Sequence, residues 1–227
     1  MVTTINHIQI NGCCGHYPYL LGILSIIQKK YNLNDVIFSS YSCGNIPALL
    51  CCLDIDIDLE FTLLNIPLLQ DLSKNTFGAF FNMIPVLKKY LLKRLNRKSL
   101  DIYKKANNRL IIHLTHYPSL KICIVKNYTS NEDLINACMA SSNIFLYSGS
   151  LFYKYRDMLF IDGGVKKDRF RMKCANFVEI KSSKYRNIDS PFLFISTNIR
   201  YSKKLFNQGK NDAINNIIDY DHLPKRK

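Results

Sequence analysis

No segment of this sequence approaches the roughly 20 consecutive apolar residues that a membrane-spanning helix needs. The longest candidate, Leu20 to Ile27, is short and is interrupted by Gly22 and Ser25. The opening Met1-Val2-Thr3-Thr4-Ile5-Asn6 has neither the basic start nor the long apolar core of a secretion signal. These absences lead us to expect an intracellular, cytoplasmic protein. The eight cysteines include no CxxC pair and fall mostly within apolar runs, so they read as reduced, buried small hydrophobes. Cys13, Cys14 and His16 are the only grouping on which a zinc site could be tried. Adjacent cysteines have poor ligand spacing, so zinc is not expected there, and no other cofactor is expected. Internal repeats, low-complexity tracts and linkers are also missing, which excludes a solenoid or an array of modules.

Acidic residues are scarce. The 17 Asp and Glu stand against 31 Lys and Arg, a formal net charge of +14 whose sign points to an anionic partner, either phospholipid head groups or nucleic acid. The positive charge is clustered. Lys88, Lys89, Lys93, Arg94, Arg97 and Lys98 alternate with Leu87, Tyr90, Leu91, Leu92 and Leu95, so one helix carries an apolar stripe and a basic face. Such a helix can lie on an anionic membrane. The plainer reading is a surface helix packed on the core. Lys166, Lys167, Arg169, Arg171 and Lys173 form a second basic group, and Lys225, Arg226 and Lys227 a third.

A chain of 227 residues that is 48% hydrophobic can bury one substantial core. One domain over 1–227 is expected, with its core from about 5 to 218 and a basic tail, 219–227, that frays. Ile5 to Ile10 reads as a strand, followed by the turn Asn11-Gly12-Cys13-Cys14-Gly15 and a helix from Tyr19 to Tyr31. A second strand, Asp35 to Ser39, leads into a helix from Gly44 to Leu53, with Pro47 tolerated in its first turn. Two successive strand–turn–helix units predict an α/β fold with a parallel sheet and helices on its faces. From Asp54 to about Asn96 the pattern is helical, in pieces divided near Pro67, Asn75 and Pro85. Arg109 to Thr115 and Leu120 to Lys126 form a hairpin, and Ser130 caps a helix that runs to Ala140. Leu151 to Arg156, Met158 to Ile161, Phe177 to Ile180 and Pro191 to Ser196 read as strands, and Asn211 to Ile218 as a last helix.

Three segments can meet at the C-terminal edge of such a sheet, where open parallel folds gather their catalytic groups. Ser42 follows the second strand in Ser40-Tyr41-Ser42-Cys43-Gly44. A strand that turns sharply into a helix pushes the hydroxyl of the turn residue outward, the geometry of a nucleophile elbow. Serine is a poor nucleophile at neutral pH and needs a base and a set of N–H donors for the oxyanion. Asp162, in Ile161-Asp162-Gly163-Gly164, can be the base, and the turn from Gly12 to Gly15 can be the donors. Each piece also has a structural reading. Ser42 can be a helix N-cap, Asp162-Gly163 a hairpin turn, and Gly12 and Gly15 a tight connection.

Taken together, these motifs resemble the patatin-like phospholipases. That family has a glycine-rich turn after its first strand, a GxSxG elbow after its second, and a DGG or DGA motif that supplies the aspartate of a Ser/Asp dyad. The helix Ser130 to Ser142, with its acidic start and Ala-Ser close, is similar to the one that precedes the family's DGG strand. Gly209-Lys210-Asn211-Asp212-Ala213 resembles its closing helix. The resemblance implies a three-layer fold with a central, mostly parallel sheet and helices on both faces. It implies Ser42 and Asp162 as catalytic residues, Cys13, Cys14 and Gly15 as oxyanion donors, and Gly12, Gly44, Gly163 and Gly164 as supports of the turns. It further implies a lipid acyl hydrolase that cleaves carboxylic esters of phospholipid or neutral lipid through an acyl-serine, without a metal. The basic patches would then hold it peripherally on anionic membranes. Cys14, Tyr17 and Ser40 depart from the family pattern by standing where glycines are usual. The alternatives are a catalytically impaired lipid- or protein-binding module of the same fold and a basic nucleic-acid-binding protein. The latter has no recognisable module to support it.

Overall fold

The computed structural model describes residues 6–74, 78–144, 148–165, 176–182, 198–215 and 223–226. Its apolar, β-branched runs form a seven-stranded sheet. The first two strand–turn–helix units are β1 (Asn6–Ile10), α1 (Tyr17–Lys30), β2 (Ile37–Ser40) and α2 (Asn45–Cys52). Further along come β3 (Leu110–Tyr117), β4 (Ile122–Val125), β5 (Tyr153–Tyr155), β6 (Met158–Ile161) and β7 (Asn176–Ile180). The order is β5-β6-β3-β2-β1-β7, with β4 on the other edge of β3. β7, β1, β2 and β3 are mutually parallel, while β4, β5 and β6 run antiparallel to their partners. The sheet is therefore mixed, with the parallel portion at its centre.

One edge of β3 serves two strands in succession. Residues 110 to 112 pair with β2 and residues 115 to 117 with β6. Across residues 112 to 115, β4 takes the opposite edge. A residue has one partner on each side, so the double pairing of Ile112 with Ser40 and Val125, and of Thr115 with Ile122 and Ile161, puts β2 and β6 on the same side. They run towards each other, and their C-terminal ends meet opposite His113 and Leu114.

Alternation along the strands sends Ile8, Ile10, Phe38, Leu110, Ile112 and Leu114 into one core with the helices. The opposite face carries His7, Gln9, Ser39, Ile111, His113 and Thr115, all buried. The expected α/β fold, a sheet with parallel central strands and helices packed on it, is the one observed.

Several boundaries differ from expectation. The stretch read as broken helices holds α3 (Ile57–Glu60), one π-helical turn over Phe61–Asn65, and α4 (Ile66–Ser73) without a break at Pro67, which sits in the first turn of α4. Asn75 lies outside the described residues. The next helix, α5 (Gly78–Lys98), runs straight through Pro85. That proline is exposed and removes one backbone bond without ending the helix. The stripe of Leu87, Leu91 and Leu95 is buried in the core, which leaves only the basic face of α5 for a partner. Ser130 caps α6 (Asn131–Ser141) by accepting the Asp133 N–H at 3.0 Å.

The last described helix, α7 (Ile199–Ile214), begins twelve positions before the expected start. Gly209, which preceded the expected start at Asn211, lies inside the helix and is a packing surface. A Cβ on Gly209 would stand 2.1 Å from the carbonyl oxygen of Tyr19, and one on Gly22 would stand 2.0 Å from that of Phe206, so α1 and α7 touch backbone to backbone. The buried Asp212 accepts the Tyr19 hydroxyl across the same contact at 2.8 Å. The strand expected at Pro191 to Ser196 and the basic group from Lys166 to Lys173 lie outside the described residues. The basic tail does not fray as a whole. Lys225 bridges to Tyr31, Arg226 N–H donates to the Lys30 carbonyl, and the Arg226 guanidinium pairs with Asp54.

His7 gives this core a pH dependence. It is fully buried, with Nε2 2.8 Å from Ser39 Oγ and its ring edge-on to Phe177. Burial lowers its pKa to about 4, below the ordinary value near 6.5. The unfolded chain therefore takes up the proton first as pH falls. Stability is full above pH 6.5 and is lost progressively between about 6.5 and 4, by up to ~3 kcal/mol. Thermal melts across that range should show a falling midpoint in the wild type and a shallower fall in His7→Gln. Parallel slopes for the two proteins would exclude His7 as the source.

Candidate active site

Ser42 stands where β2 breaks into α2, at φ 54°, a left-handed conformation that a non-glycine residue adopts at a cost. The break is close-packed on one side. A Cβ on Gly44 would lie 2.8 Å from the Ile10 carbonyl oxygen and 2.7 Å from that of Asn11, so β1 leaves room only for glycine there. Ser40, where a glycine is usual, fits because its hydroxyl has a partner. It donates to Asn45 Oδ1 at 2.7 Å, and both residues are completely buried. Asn45 Nδ2 in turn reaches the Cys138 carbonyl and Ser142 Oγ at the end of α6.

Asp162 stands at the end of β6, 9% exposed, and its Oδ1 accepts the Gly164 N–H at 2.7 Å. The chain beyond it leads to β7, which pairs with β1, so Asp162-Gly163 is no hairpin turn. Gly163 is pressed against β3, and a Cβ there would meet the His113 carbonyl oxygen at 2.1 Å. Its N–H donates to the Ser141 carbonyl at 2.9 Å. The Ser141 hydroxyl donates to the His113 carbonyl at 2.6 Å and accepts the Ser42 N–H at 3.0 Å. Next to it, the Ser142 hydroxyl donates to the Ser42 carbonyl at 2.8 Å. The end of α6 thus binds the Ser42 turn and the Asp162 turn to the bare stretch of β3 between them. Neither Ser141 nor Ser142 was singled out from sequence. The signal was two serines closing an otherwise apolar helix face.

The turn after β1 comes to the same place. A Cβ on Gly12 would lie 2.8 Å from Ser42 Cβ and 2.9 Å from the Tyr41 ring, and one on Gly164 would lie 3.4 Å from the same ring. Cys14 holds φ 49°, left-handed like Ser42, at a position where glycine is usual. A short 3-10 turn, Cys14–His16, with Gly15 buried, leads into α1, and the N–H groups at such a start have no carbonyl of their own helix to meet. Cys13 is different. Its N–H donates to Cys43 Sγ at 3.1 Å, so it does not stand open beside Cys14 and Gly15 as expected. Burial, followed by the nearby Cys43 and Asp162, pushes the Cys14 thiol up to about 12. Burial also lowers the pKa of His16. Among the described residues no three ligand-type side chains are grouped to hold a metal ion.

Ser42 opens onto a narrow, mostly apolar pocket of about 40 Å³, whose walls include Cys14, Tyr17, Leu21, Cys43, Ile46, Leu50, Phe61, Leu64, Asn65, Leu68, Leu72, Met83, Leu87 and Ser142. Its one charged wall residue, Glu60, is 2% exposed and takes two hydrogen bonds from Arg94 of α5. That pairing offsets the cost of a buried carboxylate and keeps the cavity effectively apolar. Asp162 lines a second hollow with Tyr117, Leu120, Phe152, Ile161 and Val165. Ile144 belongs to both walls.

The backbone strain and the crowding predict opposite effects for two substitutions. Cys14→Gly relieves a left-handed conformation and should stabilise the protein by about 1 kcal/mol. Gly163→Ala drives a methyl into the His113 carbonyl and should destabilise it by about 2 kcal/mol or more. Denaturant unfolding of both variants checks the pair; equal stabilities would contradict the placement of these turns.

No protein-family model matches the chain. Among curated proteins it is 28% identical over 130 residues to human omega-hydroxyceramide transacylase, covering 56% of this chain and 24% of that protein. It is 31% identical over 85 residues to mouse patatin-like phospholipase domain-containing protein 2, covering 37% of this chain and 17% of that protein. To human patatin-like phospholipase domain-containing protein 4 it is 32% identical over 63 residues, 28% of this chain and 25% of that protein. The matched region thus spans a quarter or less of each relative's length. In sequence, and in a mixed, centrally parallel sheet consistent with their fold, the chain is distantly similar to the patatin-like phospholipase domain proteins.

Proposed function

We propose that this chain is a serine-dependent lipid acyl hydrolase. Ser42 Oγ attacks the ester carbonyl while Asp162 takes its proton, and the N–H groups of Cys14 and Gly15 hold the oxyanion of the tetrahedral intermediate. Asp162 returns the proton to the leaving alcohol, and water then releases the acyl group from Ser42 by the reverse roles. The observation that carries the reading is the end-to-end meeting of β2 and β6 on one edge of β3, with Ser42 and Gly163 both bonded to Ser141 there. The apolar lining of the pocket beside Ser42 suits the acyl chain of a phospholipid or neutral lipid. One of the similar proteins is a transacylase, which makes an alcohol in place of water a second acceptor to be tried.

Binding without turnover is the second reading. It is favoured by the Cys13 N–H, which is already donated to Cys43 Sγ and leaves one fewer donor for an oxyanion. A fluorophosphonate probe separates the two. The wild type should be labelled at Ser42, Ser42→Ala should not be labelled, and Asp162→Asn should react about 10²-fold more slowly or less. A wild type that stays unlabelled beside an active control would establish the second reading.

A peripheral membrane partner is the third part of the proposal. Lys89, Lys93, Arg97 and Lys98 are exposed on α5, whereas Lys88 and Arg94 pair with Glu132 and Glu60. Pelleting with anionic vesicles should weaken as salt rises and should drop in Lys89→Glu/Lys93→Glu. Equal pelleting with neutral vesicles would remove this role from the basic face.

A further inference from the structure

Two thiols face each other across the candidate site, and neither has a part in the proposed reaction. Cys13 lies in the turn after β1 and Cys43 directly follows Ser42. Their sulfurs are 3.2 Å apart, and both residues are free cysteines. The Cys13 N–H is aimed at the same Cys43 Sγ, so the two turns already approach through these side chains. Cys43 lines the cavity that opens at Ser42, whereas Cys13 is buried behind it. A reagent entering by the acyl route therefore reaches Cys43 first and finds Cys13 in contact with it.

We propose that Cys13 and Cys43 are a modification site, closing to a disulfide under a hydroperoxide and thereby switching the elbow off. The thiolate of Cys43 attacks the peroxide oxygen, forming a sulfenic acid and releasing water, or an alcohol if the peroxide is organic. Cys13 Sγ then displaces the hydroxyl, the S–S bond forms, and a second water leaves. Two electrons pass from the two sulfurs to the peroxide, and both thiol protons end in the products. A lipid hydroperoxide suits the apolar cavity, and hydrogen peroxide serves as the small probe.

Bond formation draws the sulfurs from 3.2 Å to about 2.05 Å. The movement falls on backbone with little slack. Cys14, next to Cys13, and Ser42, next to Cys43, both hold positive φ, and Gly12 and Gly44 are packed with no room for a methyl. The closure therefore shifts the Cys14 and Gly15 N–H groups relative to Ser42. Only this consequence rests on the role proposed for Ser42; the bond itself does not.

The test treats the full chain with hydrogen peroxide, blocks remaining thiols, and maps cross-linked peptides by mass spectrometry without reduction. A Cys13–Cys43 peptide pair is expected. Fluorophosphonate labelling of Ser42 should fall by about 10²-fold in the oxidised protein, the scale of losing an oxyanion donor, and return with dithiothreitol. In Cys13→Ser and Cys43→Ser, each checked for folding by thermal melt, labelling should be the same before and after peroxide. Absence of the peptide pair, a bridge from Cys14 instead, or unchanged labelling in the bridged protein would overturn the proposal. If the reduced wild type is never labelled, the hydrolase reading fails while the peptide map still decides the bridge.

Discussion

Ser141 ties together the turn after β2, the turn after β6 and the stretch of β3 between the ends of those two ladders. Its hydroxyl accepts from the Ser42 N–H and donates to the His113 carbonyl, while the carbonyl of the same residue accepts from Gly163. A sheet edge normally satisfies its groups by a continuous neighbouring strand. Here β3 has two half-neighbours, and between them His113 would be left with an orphan carbonyl. One buried side chain fills that gap, and the groups it binds belong to the turn carrying Ser42 and the turn carrying Asp162. The separation of those turns is consequently set by the width of a serine bridge.

Most of the central sheet was legible in the sequence because its signals are local. The β1, β2, β4, β6 and β7 runs are short and apolar or β-branched, and the Ser130 cap stands within three residues of the N–H it accepts. What failed were features decided by tertiary contact. Gly209 weakens a helix by about 1 kcal/mol in isolation, and α7 read as starting only after it, at Asn211. In the fold that glycine and Gly22 let two helix backbones touch, a gain that no local pattern carries. Pro85 misled in the same way, since an exposed proline interrupts one bond without ending a helix that is anchored by Leu87, Leu91 and Leu95.

The candidate site was legible in part. Ser42 and Asp162 stand in motifs that survive as short strings, and the structure brings their turns to a common edge. Ser40 looked like an intrusion because its compensation, Asn45, lies on the following helix and acts through a buried hydrogen bond. The altered glycines have different outcomes. Cys14 bears the left-handed conformation that a glycine would take without cost, whereas Tyr17 opens α1 in ordinary helical conformation and lines the pocket beside Ser42. The engagement of the Cys13 N–H by Cys43 could not have been read from either motif alone, as the two are 30 residues apart.

The bonds that define the cleft span long stretches of chain. Ser42 reaches Ser141 and Ser142 across separations of 99 and 100 residues, and Asn45 reaches Cys138 across 93. The helices, by contrast, are held internally by bonds between near neighbours. Closing such wide loops costs entropy that is repaid only when the sheet is complete. The cleft is therefore a property of the assembled sheet with α6 packed on it, and of no single strand–helix unit. A nascent or partly opened chain carries the serine and the aspartate without the geometry that joins them, so any reactivity of the pair is confined by topology to the fully assembled molecule.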